Sequence, residues 1–258
     1  SVVLLGCSGQ FSSRFVNFNA YYNTFYNAQL SYGQGYTKST EQTRKYNFLL
    51  PIRVYQTPLG AGMQEFQSTI DKGADILRDH KESKWVDNAL ELIGKSYFFR
   101  TEYFSADQKF DELLLTTDDH ILQQKGVFWK ARVFMELELY TQGVQYLIEQ
   151  RTSYDGKWLE NTEAQIFTML AELYVARQNY EAAIPLLEQS AASLPGRALK
   201  ERAFFLLGQL NDFQGYTQNA FTAFDRVSDY YFNYEIQFEA QKKKADVARQ
   251  LGLVDEAY

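Results

Sequence analysis

Cysteine is almost absent from this chain: Cys7 is the single one in 258 residues. No internal disulfide can form, and cysteine usage does not report a redox compartment. Histidine is nearly as scarce, with only His80 and His120. That leaves no Ser-His-Asp or Cys-His constellation for nucleophilic chemistry. Neither histidine has an acidic or histidine partner at metal-binding spacing on one helix face. Four prolines and 15 glycines are too few for a turn-rich all-β fold and suit long helices. No apolar run reaches 18 residues, so no transmembrane helix is read. Net charge is −6 and the isoelectric point about 5.1, which gives no basic footprint for nucleic acid. The expectation is a non-enzymatic chain with no cofactor, no metal, no nucleic-acid partner and no small-molecule substrate.

What the chain does have is aromatic residues, 16% of the total, and an internal period. Small residues recur at Gly94, Ala131, Ala171, Gly208 and Ala245, and twelve positions later at Ala106, Gly143, Ala183, Ala220 and Ala257. Three residues after the first set stand Tyr97, Phe134, Tyr174, Asn211 and Ala248; four after the second stand Phe110, Leu147, Leu187 and Phe224. Two helices per unit, each with a small residue where it meets the other and a large one a turn away, at intervals of 37 to 40 residues, resemble the tetratricopeptide (TPR) repeat. Leu170, Ala171, Tyr174, Ala183 and Pro195 sit at consensus offsets. The predicted fold is all-α, a right-handed TPR-type solenoid of helical hairpins. A fifth unit stopping at Tyr258 in mid-hairpin suggests the N-terminal part of a longer protein.

Ahead of the array, Phe15, Phe18, Tyr21, Tyr22, Phe25, Tyr26 and Tyr32 form a helical aromatic stripe. It reads as core packing against the first repeat, with a partner groove as the functional alternative. Gly33-Gln34-Gly35 reads as the stop of that helix, because no strand or Gly-Lys-Ser/Thr accompanies it as in a phosphate loop. "NFLLPIRVYQTPLGAG" holds two of the four prolines and reads as an extended connector. A second helix follows and is broken before Trp85. Asp118-Asp119-His120 reads as a loop and helix cap rather than a metal cluster, and Lys242-Lys243-Lys244 as a solvated helix face. The division read from these blocks is 1–13 (end of a signal and a tether), 14–85 (helical region with its connector) and 86–258 (repeat array of about four and a half units).

Two resemblances sharpen this. Ser1 to Gly6 is apolar and ends in a small residue before Cys7, similar to a bacterial lipoprotein signal peptide with its lipobox. The alternative is a buried free cysteine in an apolar first strand. The lipobox implies lipidation at Cys7, and acyl chains anchor a domain at about 0.8 kcal/mol per buried CH₂. Beyond it, Tyr22-Asn23-x-x-Tyr26-Asn27-Ala28, then "LLPIRVY", then Lys84-Trp85-Val86-Asp87-Asn88-Ala89 resemble, over about residues 4–120, the TPR lipoproteins of Bacteroidota gliding motility and type IX secretion, the SprE/PorW family. That likeness implies a scaffold or adaptor on the periplasmic face of the outer membrane, with a lipid anchor and protein partners in an envelope secretion or gliding machine. The competing lipoprotein class is the BamD-like assembly factor of outer-membrane β-barrels, which starts its repeats sooner after the cysteine and lacks the Tyr/Asn block.

TPR arrays bind partners along the face lined by the first helix of each unit. In the register above, the outward positions of those helices include Glu91, Lys95, Arg132, Thr168, Glu172 and Gln209. Their mixed polarity favours a protein or peptide over an anionic polymer.

Overall fold

A computed structural model describes residues 24–154 and 156–253. Cys7, the aromatic positions Phe15 to Tyr22 and Ala257 lie outside the described residues. The described residues hold eleven α-helices and no strand. They are α1 (Tyr26–Thr40), α2 (Met63–Asp79), α3 (Val86–Phe99), α4 (Tyr103–Thr116), α5 (His120–Glu136), α6 (Tyr140–Ser153), α7 (Glu160–Ala176), α8 (Tyr180–Ser190), α9 (Arg197–Phe213), α10 (Thr217–Val227) and α11 (Tyr234–Leu251).

Chain packing divides the protein into two compact units, 1–43 with 57–137, and 44–56 with 138–258. In the first, α1 packs on α2, α2 on α3, α3 on α4 and α4 on α5, and α3 also meets α5. In the second, α6 packs on α7, and α7 to α11 follow in the same nearest-neighbour order, with α9 also touching α11. The connector at 44–56 belongs to the second unit, although its flanks belong to the first.

The turn inside each repeat has one geometry. Thr101, Glu138, Gln178, Gly215 and Gly252 all adopt the left-handed backbone conformation, with φ of 63°, 58°, 59°, 74° and 75°. They recur at intervals of 37, 40, 37 and 37 residues, the period of the small residues. At four of these turns the next amide reaches back to a carbonyl five residues earlier: Glu102 to Tyr97, Asn179 to Tyr174, Tyr216 to Asn211, and Leu253 to Ala248. This is the Schellman closure of a helix, which satisfies a carbonyl that the helix end would leave unpaired.

The small residues sit where the register puts them. Ala106, Ala131, Ala171, Ala183 and Ala220 have no exposed surface. A Cβ on Gly94 would lie 2.7 Å from the Phe110 ring, and one on Gly208 would lie 2.6 Å from the Phe224 ring. Helix starts are also sequence-encoded: the carboxylate of Asp119 accepts from the amides of Ile121 (2.7 Å) and Leu122 (3.2 Å), and Asn179 and Asn233 cap α8 and α11.

Two expectations change. Helix α1 does not stop at Gly33-Gln34-Gly35 but runs through it to Thr40. A Cβ on Gly35 would meet the Phe66 ring at 3.0 Å, and the Gly35 carbonyl oxygen lies 2.6 Å from where a Cβ on Gly62 would be. These glycines allow α1 and the start of α2 to touch; they do not end a helix. The lysine run is also more than a solvated face: Lys244 pairs with Asp225 of α10 at 2.7 Å and Lys243 lies 3.7 Å from Asp212 of α9.

Candidate functional site

The described part of the aromatic stripe lies in the first unit's core. Phe25 stacks on Trp85 with ring centroids 4.9 Å apart, and Tyr32 meets Phe66 and Phe99 at 5.8 and 6.2 Å. Phe25, Ala28 and Ala89 are buried in one cluster against Trp85. Tyr26, by contrast, is exposed.

The side chains expected to face outward are largely buried. Glu91 and Arg132 are each 7% exposed, Glu172 2%, Gln209 1% and Thr168 0%. In the repeat register Lys95, Arg132, Glu172 and Gln209 occupy one position, immediately after the small residue of the first helix. Each meets part of this chain. In the first unit, the Lys95 ammonium lies 4.8 Å from the Tyr32 ring centroid and 3.2 Å from the Glu91 carboxylate. Lys125 flanks Glu91 at 3.8 Å. The Arg132 guanidinium lies over Phe98 (4.4 Å) and Trp129 (4.7 Å). Burial first, then the neighbouring Tyr36 and Glu91, push the Tyr32 pKa well above its ordinary value, against a smaller opposing pull from Arg132.

In the second unit the same position reads a backbone. Helices α7 and α9 are the first helices of two successive repeats, and residues 44–56 lie along them. The Val54 amide donates to Glu172 Oε1 at 2.7 Å, and the Tyr55 amide to both Glu172 oxygens at 3.3 Å. The Ile52 amide donates to Gln209 Oε1 at 2.9 Å. Gln209 Nε2 donates to the carbonyls of Phe48 (3.2 Å) and Leu50 (2.8 Å), and Arg202 Nε to the carbonyl of Val54 (2.8 Å). Thr168, one turn before Glu172, is held by the hydroxyl of Ser190 at 2.8 Å.

Apolar side chains complete the seat. Ile52 and Val54 belong to the buried cluster formed by α7 to α11, with Tyr46 and Phe48 packed against it. The Phe48 ring lies 5.3 Å from Phe205 and 5.5 Å from Tyr46. Burial alternates along the segment: Arg44, Tyr46 and Phe48 are partly covered, Lys45 and Asn47 exposed, and after a turn at 47–50 Ile52 and Val54 are buried. Over 44–48 and 52–54 this is the period-two pattern of an extended strand lying on a surface; Tyr55, buried directly after Val54, ends it. Only the extended character of the connector was readable from its prolines; its seat on α7 and α9 was not.

No group of three or more His, Cys, Asp or Glu that could hold a metal occurs among the described residues. Asp119 acts as the cap described above, and His120 lies 3.2 Å from Gln123. No described helix is long and apolar enough to cross a membrane.

No protein-family model matches the chain, and no curated protein matches it by sequence. Solved structures do. A crystal structure of MamA protein aligns with a TM-score of 0.50 at 17% identity, over 67% of this chain and 86% of that one. Two further MamA structures, labelled AMB-1 and MSR-1, align at 0.48 and 0.47 with 19% identity, over 66% and 67% of this chain and 85% and 91% of theirs. At this identity the first likeness shows the fold: the chain is an all-α protein of TPR type.

Proposed function

We propose that this chain is a protein-interaction scaffold of the cell envelope, held at a membrane by a lipid on Cys7, and that it serves a secretion or gliding machine of the SprE/PorW kind. The observation that carries the scaffold reading is the side of α7 and α9 that carries Glu172, Arg202 and Gln209. There Glu172, Arg202 and Gln209 hold an extended peptide segment by its backbone, the chemistry a peptide-binding repeat array needs. The envelope reading is supported by the lipobox-like stretch ending at Cys7. The SprE/PorW reading is supported by the stretches that carry that resemblance, and Phe25 and Ala28 from the first of them pack with Trp85 and Ala89 from the last.

Two experiments on the full-length protein test these parts. Cys7→Ser should move it from the membrane fraction to the soluble periplasmic fraction, while retention in a salt-washed pellet would rule out lipid anchoring. Cross-linking followed by capture from solubilised membranes should recover secretion-machine components. Recovery of the β-barrel assembly machinery instead would favour the BamD-like class.

A further inference from the structure

The seat of residues 44–56 has the form of a bound ligand. Every hydrogen bond from Glu172 or Gln209 to this segment described above ends on a main-chain amide or carbonyl of the segment. The one from Arg202 does the same. Such contacts fix an extended conformation and a direction, but they do not read side chains. Side-chain selection comes from two apolar pairs, Tyr46 with Phe48 and Ile52 with Val54, joined through the turn at 47–50, and from Arg53, whose Nε lies 3.9 Å from the Glu172 carboxylate. At that turn Leu49 and Leu50 are 84% and 60% exposed, so the groove asks nothing of them. The segment leaves the first unit after residue 43 and rejoins it at residue 57. It therefore contributes to the second unit as a tethered peptide does, without being one of its helices.

We propose that residues 44–56 are a resident occupant of a peptide groove on α7 and α9, and that this groove also takes an extended segment of a partner protein. That partner segment would carry two apolar pairs, each of alternate residues, separated by a short turn. This rests on the scaffold reading above and deepens it. Tethering supplies the resident segment at an effective concentration on the order of millimolar. A free peptide of the same intrinsic affinity must compete with that, so the intact chain binds it weakly. Release of the segment opens the groove, and backbone readout lets unrelated sequences with the same apolar pattern enter.

The test uses the folded full chain with protease recognition sites inserted at the exposed flanks, Glu41 and Gly60. Cleavage after folding leaves residues 44–56 in place without a tether. The probe is a labelled synthetic peptide of residues 44–56, followed by fluorescence anisotropy, with circular dichroism reporting the helices. The cleaved protein should exchange its resident segment for the probe and bind it at least about 100-fold more tightly than the uncleaved protein does. Glu172→Ala in the cleaved protein should abolish that gain. A probe with Ile52→Asp and Val54→Asp should not bind, whereas one altered at the exposed Lys45 and Leu49 should bind as well as the parent. The proposal is overturned if the resident segment stays and the probe never enters, or if the segment leaves and helicity collapses. In either case the segment is simply part of the core. The scaffold reading would survive, because capture of envelope partners through another surface is read separately in the cross-linking experiment.

Discussion

A methyl group on Gly208 would lie 2.6 Å from the ring of Phe224, closer than packed carbon atoms approach. The same pairing, sixteen residues apart, recurs at Gly94 and Phe110. Where the first member is alanine, at Ala131 and Ala171, the residue sixteen positions on is leucine, at Leu147 and Leu187. The smallest residue faces the ring, and by register the next smallest stands opposite the branched aliphatic chain, so the two positions share a nearly fixed volume.

Gly208→Ala should therefore destabilise the second unit by about 1–3 kcal/mol through overpacking. Adding Phe224→Leu recreates the Ala171–Leu187 pairing. The double variant should be more stable than the sum of the single effects allows, by at least about 0.5 kcal/mol. Denaturant unfolding of all four proteins measures the coupling, and simple additivity would mean that the two residues do not share a site.

At Gln178 the turn between α7 and α8 holds a non-glycine residue at φ 59°. That conformation costs an L-residue with a Cβ roughly 1–2 kcal/mol, part of which is offset because glycine is freer when unfolded. Gln178→Gly should raise stability by about 0.5–1 kcal/mol. A melting temperature that falls would show that the Gln178 side chain contributes more than its backbone strain costs.

Glu172 accepts three hydrogen bonds from the amides of Val54 and Tyr55. Bonds to a charged acceptor are worth more than neutral ones, so Glu172→Gln should cost about 1–3 kcal/mol. Amide hydrogen exchange gives the local reading: the Val54 and Tyr55 amides should exchange faster in the variant, while those in the middle of α4 stay as they were.

The fold accommodates Tyr32 in its neutral form, since burial raises its pKa above the ordinary value of 10.0. The stability this contributes is complete below that ordinary value and is lost as pH rises through the folded pKa. Wild type should therefore lose melting temperature above about pH 10, and Tyr32→Phe should lose less over the same range. With 19 tyrosines in the chain, the informative quantity is the difference between the two pH profiles; identical profiles would mean that Tyr32 ionises as it does in the unfolded chain.

The repeats were legible because volume leaves a mark in sequence: glycine or alanine must stand where helices touch, and it recurs with the period. The left-handed turns share that period but left no mark, because Thr101, Glu138 and Gln178 fill three of the five. Gly33-Gln34-Gly35 misled for the opposite reason, since glycine permits close helix contact as readily as it ends a helix. Polar residues on the first helices suggested a solvent-facing surface. Glu172 and Gln209 are polar because main-chain amides and carbonyls lie against them, and those belong to residues 117 to 161 positions away. A local reading of periodicity has no access to a partner at that distance.

In an ordinary repeat array each hairpin meets only its neighbours, so it can fray from an end inward and fold from any point outward. Residues 44–56 break that rule. They are bound at once to Glu172 on α7 and to Arg202 and Gln209 on α9, with sequence separations of 118, 148 and 157 residues. Loss of either repeat strips contacts from the other, so the second unit should melt as one cooperative body. The closing contact belongs to the slow, non-local kind: whenever the chain emerges from its N-terminus, the segment is present long before its seat exists.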